Sequence, residues 1–137
     1  MPNLVEGRAI AIVTEYFQKL GYDIDNVSTG KRPESEHRGY DLIARKPGES
    51  IKIEVKGCTR RWGIPDPYET EFDSEKRLVA DLLCIAYFFG SETQLCVIPR
   101  DAIKPEDIVP RKGYRFRSHF KSARSLSQYL QELRIDV

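Results

Sequence analysis

The fold is decided by the stretch Gly39-Tyr40-Asp41-Leu42-Ile43-Ala44-Arg45-Lys46-Pro47-Gly48-Glu49-Ser50-Ile51-Lys52-Ile53-Glu54-Val55-Lys56-Gly57. Its two halves are rich in apolar and β-branched residues, and polar turn residues lie between them. This pattern is typical of a β-hairpin. We therefore predict strands over residues 40–46 and 51–57, joined by a four-residue loop.

The register of the hairpin follows from the need to bury one apolar face. A four-residue loop gives the pairs Lys46 with Ile51, Ala44 with Ile53, and Leu42 with Val55. The opposite face then collects Asp41, which lies across from Lys56, and Glu54, which lies across from Ile43. A register shifted by one residue would turn one strand over and spoil both faces. The sequence therefore predicts that two carboxylates and one ammonium converge on one face of the sheet.

A helix is predicted before the hairpin, from about Leu4 to Leu20, because apolar residues recur at helical spacing and Gly21 is a suitable stop. Glu6 falls near the centre of the apolar stripe, so its carboxylate is expected to point inward. A buried carboxylate is costly without a partner. A metal-binding cluster on the sheet below would provide that partner.

The remaining pattern predicts a mixed α/β fold in which helices flank one central sheet. The further predicted elements are a strand over Tyr22–Ser28, a helix over Phe72–Ala80, strands over Leu82–Phe89 and Gln94–Ile98, and a helix over Ser122–Leu133. We expect one domain over residues 1–137, a usual size for a single core. Its core covers about residues 4–99, and a basic C-terminal extension with a helix covers about residues 100–137.

The predicted cluster has the groups that phosphodiester hydrolysis requires. Hard cations such as Mg²⁺ prefer oxygen ligands, usually one or two carboxylates with water and phosphate oxygens. Asp41 and Glu54 supply such a pair. Lys56 could orient or help deprotonate the attacking water and offset charge on the phosphate. The alternative is an ordinary solvated face, because a carboxylate two residues before a lysine is common by chance.

The quoted stretch resembles the core motif of the PD-(D/E)XK nuclease superfamily, which includes restriction endonucleases, Mrr-type enzymes and Holliday-junction resolvases. The layout is also similar to the nuclease-like domain at the C-terminus of NO VEIN proteins. The resemblance covers about residues 4–99 and implies a three-layer restriction endonuclease-like core. It implies the following roles: metal ligands Asp41, Glu54 and Val55, a catalytic Lys56, an outer-shell Glu6, and Mg²⁺ or Mn²⁺ as cofactor. Tyr40 departs from the motif, because it stands where the name-giving proline would be.

Charge is balanced overall but uneven along the chain. The net charge is +1, so the total does not indicate a nucleic-acid binder. No acidic residue lies between Asp107 and Glu132, and basic residues there alternate with aromatic ones, which suits a surface that follows a nucleic-acid backbone. The candidate nucleic-acid-binding residues are Arg60, Arg61, Arg111, Lys112, Arg115 and Arg117. The alternative is that the aromatic residues pack under the sheet while the charges are solvated.

Other features limit where the protein acts. No apolar run approaches the ~20 residues that a membrane helix needs, and the first residues do not resemble a signal peptide. Three cysteines, Cys58, Cys84 and Cys96, argue against a disulfide framework. We therefore expect a cytoplasmic protein without membrane association.

Three hypotheses follow for the function. The first is a metal-dependent endonuclease that acts on duplex or branched DNA and forms a homodimer, because cutting two strands with one small site usually requires two copies. The second is a nuclease-fold module that binds nucleic acid without cutting it. The third is an α/β domain in which Asp41 and Lys56 form only a structural ion pair.

Overall fold

The computed structural model describes residues 4–27, 39–60, 62–65, 67, 71–110, 114–117 and 120–131. Its helices and strands are α1 (Leu4–Lys19), β1 (Asp23–Asn26), β2 (Leu42–Lys46), β3 (Glu49–Cys58), β4 (Leu82–Phe89), β5 (Glu92–Pro99), β6 (Ile108–Pro110), β7 (Tyr114–Phe116), α2 (Ala123–Leu126) and β8 (Leu130–Gln131). Short 3-10 helices cover Arg100–Ala102, Pro105–Asp107 and Ser127–Tyr129. Within these ranges no helix has the length and apolar character needed to cross a membrane.

Six strands form one mixed sheet in the order β1-β2-β3-β4-β5-β8. The central pair, β3 and β4, is parallel, and every other neighbouring pair is antiparallel. Strands β6 and β7 form a separate two-stranded ribbon. The parallel pair requires a crossover between β3 and β4, and that crossover contains Glu71. The α/β prediction is confirmed.

Helix α1 covers one face of the sheet with Ala9, Val13 and Phe17. These side chains form one buried cluster with the sheet residues Leu42, Ala44, Ile53, Val55, Cys84, Ala86, Phe88 and Leu95. The helix approaches β3 closely at Gly57. A Cβ atom there would lie 2.8 Å from the carbonyl oxygen of Val5, so only glycine allows this contact.

The opposite face of the sheet is covered by irregular chain, the β6-β7 ribbon and α2. The buried sheet residues on this side are Leu83, Ile85, Tyr87, Cys96 and Ile98. The covering segments contribute Ile64, Phe72, Leu78, Ala80, Ile103, Ile108, Phe116, Phe120 and Leu126. The domain therefore has three layers, and the layer opposite α1 is mostly built from turns and short elements.

The predicted hairpin register is wrong by two residues. The turn has two residues, Pro47 and Gly48, and Lys46 pairs with Glu49 instead of Ile51. Gly48 has φ +76°, a conformation that glycine adopts without strain and that tight hairpin turns require. A shift of two residues leaves every side chain on its predicted face. The face assignment therefore survives, but Leu42 pairs with Ile53.

The helix predicted over residues 72–80 does not form. Phe72 and Leu78 pair in a short β-bridge, and the chain between them is a turn organised by Asp73. The Asp73 carboxylate accepts hydrogen bonds from the backbone N–H groups of Glu75 at 2.8 Å and Arg77 at 3.0 Å. Such side-chain bonds compete with helix formation. Lys76, at φ +61°, has a left-handed conformation that a helix does not tolerate.

The predicted final helix is shortened to one turn. α2 ends at Leu126, and after a 3-10 turn the chain becomes β8, in which Leu130 pairs with Cys96 of β5. This pairing satisfies part of the exposed edge of β5, an interaction that a longer helix would not provide. The remaining residues of the predicted helix, 132 and 133, lie outside the described chain.

Candidate active site

Asp41 lies immediately before β2 and extends its pairing with β3. Its N–H donates to the carbonyl of Ile53 at 2.8 Å, and its carboxylate oxygen Oδ2 accepts a hydrogen bond from the N–H of Val55 at 2.9 Å. The side chain therefore takes the place of a backbone acceptor at the point where the two strands begin to separate. This bond fixes the carboxylate beside the middle of β3.

Glu54 and Lys56 project from β3 toward the face opposite α1. Their immediate neighbours in sequence, Ile53 and Val55, face α1, and side chains alternate along a strand. Lys56 Nζ lies 3.5 Å from Glu54 Oε1. Their parallel partners on β4 are Leu83 for Glu54 and Ile85 for Lys56, so the charged pair lies beside the apolar core.

A third carboxylate, that of Glu71, completes the group. It was not among the site residues predicted from the sequence. Lys56 Nζ donates a hydrogen bond to Glu71 Oε2 at 2.7 Å. Glu71 lies in the crossover, where its carbonyl accepts a hydrogen bond from the N–H of Val79 at 2.9 Å. Only its place between the motif strand and an apolar residue, Phe72, could have suggested burial.

Asp41, Glu54, Lys56 and Glu71 are here called the site cluster. All four are buried, with exposed fractions of 7%, 3%, 8% and 1%. Ionised groups are costly to bury unless they are paired. Three carboxylates and one ammonium leave the cluster deficient in positive charge, and this is its main electrostatic property.

Protonation equilibria in the cluster reflect that deficit. Burial raises the pKa of Glu54 well above its ordinary value, and the carboxylates of Glu71 and Asp41 raise it further, while Lys56 opposes them. For Lys56, burial lowers the pKa, but Glu71 and Glu54 more than compensate, so its pKa lies above the ordinary value. Lys56 is therefore held as an ammonium, and Glu54 tends to keep a proton until another cation replaces it.

The donor set fits a hard divalent cation. Glu54 Oε2 is buried and accepts no hydrogen bond from the described residues, and carboxylate oxygens are the ligands that Mg²⁺ prefers. Within the described ranges no group of three or more His, Cys, Asp or Glu side chains is placed so that together they could hold a metal ion. An ion bound by Asp41 and Glu54 would have to take its remaining ligands from water or phosphate oxygens.

Glu6 does not point inward as predicted. Its side chain is exposed, and the buried stripe of α1 begins at Ala9. The stripe also packs on the face carrying Val55, whereas Glu54 projects from the other face, so the sheet separates the helix from the cluster. The direction predicted for the Glu6 carboxylate is wrong, and its accessory role stays a prediction.

The predicted nucleic-acid-binding residues are only partly described. Arg60 is exposed just after β3. Arg117 is exposed and its Nε donates to the carbonyl of Glu106 at 2.6 Å. Arg115 lies in β7, and nothing is described of its side chain. Arg61, Arg111 and Lys112 lie outside the described residues.

Two aromatic residues of the C-terminal segment, Phe116 and Phe120, belong to the core. Phe116 and Phe120 are buried and stack with their ring centroids 5.0 Å apart. Trp62, the aromatic residue after β3, is half-buried and packs edge-on against Tyr87. For Phe116 and Phe120 the structure supports the alternative in which the aromatic residues pack under the sheet. Cys58, Cys84 and Cys96 are free thiols, which agrees with the prediction of no disulfide framework.

Comparison with known proteins finds similarity to a family model over part of the chain and to a solved structure. Residues 5–71 match the family model described as "Protein NO VEIN, C-terminal", and this segment contains the whole site cluster. No curated protein sequence matches the chain. A solved structure, that of the bacterial homing endonuclease I-Ssp6803I, is similar at 18% identity and a TM-score of 0.43, over 72% of this chain and 68% of that chain. The match of residues 5–71 supports the predicted restriction endonuclease-like fold.

Proposed function

We propose that this domain is a metal-dependent endonuclease that hydrolyses phosphodiester bonds in DNA. The observation that carries the proposal is the site cluster. A nuclease-like fold brings two carboxylates and a lysine together on one buried face, and a third carboxylate holds that lysine. A fold alone does not assign a function, so the proposal depends on these side chains.

The proposed cofactor is Mg²⁺ or Mn²⁺, held by Asp41, Glu54 and Val55. A bound divalent cation lowers the pKa of a coordinated water and polarises a phosphate oxygen. Asp41 and Glu54 would supply carboxylate oxygens, and the buried Oε2 of Glu54 supports this assignment. Asp41 keeps one oxygen on the N–H of Val55, which orients its carboxylate and connects it to the backbone of β3.

Lys56 is proposed to stabilise the negative charge that develops on the phosphate. Its pKa is raised by Glu71 and Glu54 against the effect of burial, so the ammonium form is favoured at neutral pH. A lysine in that state donates hydrogen bonds and offsets charge, whereas accepting a proton from water would require the neutral amine. Glu71, at 2.7 Å, would fix the direction in which the ammonium points.

A module that binds nucleic acid without cutting it is the second candidate, and one observation favours it. The ammonium of Lys56 is already engaged by Glu71 and lies 3.5 Å from Glu54. An arrangement of this kind could serve only to hold the fold together. The third hypothesis, a structural ion pair between Asp41 and Lys56, is weakened because Glu71 and Glu54 are the carboxylates in ion-pair contact with Lys56.

The substrate and setting are proposed on more general grounds. Duplex or branched DNA is the proposed substrate, and a homodimer would allow both strands to be cut. Activity in the cytoplasm is proposed from the sequence alone.

The test is cleavage of plasmid, branched and single-stranded DNA with Mg²⁺, with Mn²⁺ and with EDTA. Wild-type protein is expected to cleave at least one substrate only when a metal is present. Glu54→Gln and Lys56→Met should abolish this activity, since each removes a charge from the cluster at similar side-chain volume. Glu75→Gln is the matched control, because Glu75 is an exposed glutamate of the same crossover.

Each hypothesis gives a different result in this experiment. Salt-sensitive DNA binding without cleavage, unchanged in Glu54→Gln and Lys56→Met, would favour the silent module. If neither binding nor cleavage occurred and the variants only lowered stability, the cluster would be structural. Cleavage that persisted in Lys56→Met would contradict the role proposed for the lysine.

A further inference from the structure

We propose that Lys52 and Tyr40 form a phosphate-binding subsite at the margin of the site cluster, which holds a backbone phosphate next to the one that is cleaved. The inference rests on the proposed nuclease function and deepens it, because it identifies how the nucleic-acid strand is held. It also differs from the basic residues that the sequence pattern indicated, which lie after β3 and near the C-terminus. The ligand is a phosphodiester group and not a particular base.

The position of Lys52 follows from strand geometry. Lys52 precedes Glu54 by two residues in β3, so both side chains leave the same face of the sheet, about 7 Å apart along the strand. Glu54 is buried, whereas Lys52 is exposed. The lysine therefore lies on the same face of the sheet as the cluster, at a position that is open to solvent.

The Lys52 ammonium has no carboxylate partner among the described residues. Its neighbour across the parallel pair is Asp81, but Asp81 Oδ2 accepts the backbone N–H of Lys52 at 2.8 Å. The other oxygen, Asp81 Oδ1, lies 3.7 Å from Arg100 Nη2. Asp81 thus fixes the backbone of Lys52, and its charge is shared with Arg100. The ammonium of Lys52 keeps a full charge that a phosphate can use.

The ring of Tyr40 orients the side chain of Lys52. Lys52 Nζ lies 5.3 Å from the centroid of the Tyr40 ring, within the range of a cation–π contact. Tyr40 is half-buried against the core on the cluster side and immediately precedes Asp41. The ring attracts the ammonium without neutralising it.

The chain offers a matched control in Lys46 and Tyr22. Lys46 Nζ lies 4.2 Å from the centroid of the Tyr22 ring. This is the same kind of contact, and it is made by a lysine of the same hairpin. Lys46 lies at the turn end of β2, on the face that α1 covers further along the strand. Lys46→Gln and Lys52→Gln therefore remove the same charge and the same contact, but only Lys52 lies beside the cluster.

The experiment measures binding of a short fluorescein-labelled DNA duplex by fluorescence anisotropy in EDTA, where metal-dependent cleavage cannot occur. Salt is varied between roughly 50 and 200 mM, because the slope of log K against log salt counts phosphate contacts. Lys52→Gln should bind more weakly than wild type and lower the slope by about 0.9, the value for one contact. Lys46→Gln should match wild type. Equal slopes for Lys52→Gln and wild type, or no binding of the duplex by wild type, would overturn the subsite.

Variants at Tyr40 test the second residue. Tyr40→Phe keeps the ring and should bind as wild type does, whereas Tyr40→Leu removes it and should weaken binding without changing the slope. A normal thermal unfolding transition for each variant shows that the domain is folded. A Tyr40→Leu variant that is folded and binds like wild type would remove tyrosine from the subsite. Because binding is measured without cleavage, an inactive wild type would contradict the nuclease proposal and still allow Lys52 to be tested.

Discussion

The ammonium of Lys56 lies 2.7 Å from Glu71 Oε2, and both side chains are almost completely buried. Glu71 therefore determines where the ammonium sits and favours its charged state. Without such a contact, the four-carbon side chain of a lysine is flexible. The crossover between β3 and β4 therefore contributes a side chain, that of Glu71, to the site cluster.

Glu71→Gln should reduce cleavage strongly while leaving DNA binding nearly unchanged. Glutamine keeps the shape and one oxygen acceptor but removes the charge that orients Lys56. A misplacement of about 1 Å can cost about 100-fold in rate, and we expect a loss in kcat of that order with little change in KM. Single-turnover cleavage with saturating enzyme measures it. Glu75→Gln, in the same crossover, should behave as wild type, and equal activity in both variants would contradict this role for Glu71.

The face assignment of the cluster could be predicted from sequence, and the reason is the period of a strand. Alternation within β3 places Glu54 and Lys56 on one face whatever the turn length. Asp41 was correctly placed on the same face because the register error was two residues, whereas an error of one residue would have placed it on the other face. The turn itself was mistaken because Pro47 and Gly48 were grouped with Glu49 and Ser50, which are in fact paired in the sheet.

Glu71 and Glu6 show what local patterns could not predict. Glu71 is 15 residues from Lys56 in sequence. Their contact depends on the turn that Asp73 organises, in a segment for which the sequence predicted a helix. For α1 the apolar spacing was correct, and Ala9, Val13 and Phe17 are buried. The pattern does not state which face of the sheet the helix covers, so the direction of Glu6 could not follow from it.

Gly57→Ala should destabilise the domain by about 1–3 kcal/mol, the usual cost of overpacking. A Cβ at this position would lie 2.8 Å from Val5 O and 2.9 Å from Val5 Cγ1, so α1 would have to move away from β3. Gly7→Ala is the control within the same helix, since a Cβ there has no atom within 4 Å. It should stabilise the helix by up to about 1 kcal/mol. Urea unfolding measures both variants, and an unchanged midpoint for Gly57→Ala would contradict the close approach.

Tyr87→Phe should stabilise the protein, because it removes an unpaired hydroxyl group from a fully buried side chain. Tyr87 Oη is buried and has no hydrogen-bond partner among the described residues. Leaving such a group unsatisfied costs roughly 1–3 kcal/mol, so its removal should raise the free energy of unfolding by about 1 kcal/mol. Tyr16→Phe is the opposite case, because Tyr16 Oη donates to Gln131 Oε1 at 3.0 Å. Thermal unfolding should shift up for the first variant and down for the second.

The pH dependence of stability should report the raised pKa of Glu54. Burial, with Glu71 and Asp41, raises this pKa well above 4.5 in the folded state, so the folded protein keeps a proton that the unfolded chain releases. The contribution of Glu54 to the free energy of unfolding is fully present below pH 4.5. It declines as the pH rises through the folded-state pKa, because the folded state binds more protons than the unfolded chain over that range. In EDTA, the difference in unfolding temperature between wild type and Glu54→Gln should therefore become less favourable to wild type as the pH increases.

Addition of Mg²⁺ or Mn²⁺ should reverse that decline at neutral pH. A cation at the cluster competes with the proton on Glu54 and replaces it as the source of positive charge. A ligand present at 100 times its Kd stabilises by about 2.7 kcal/mol, and the gain should shrink near pH 5, where protons compete better. Glu54→Gln should show no gain at either pH. If the metal left the unfolding temperature of wild type unchanged at neutral pH, the cluster would not be a divalent-cation site, and Lys56 and Glu71 would be explained by folding alone.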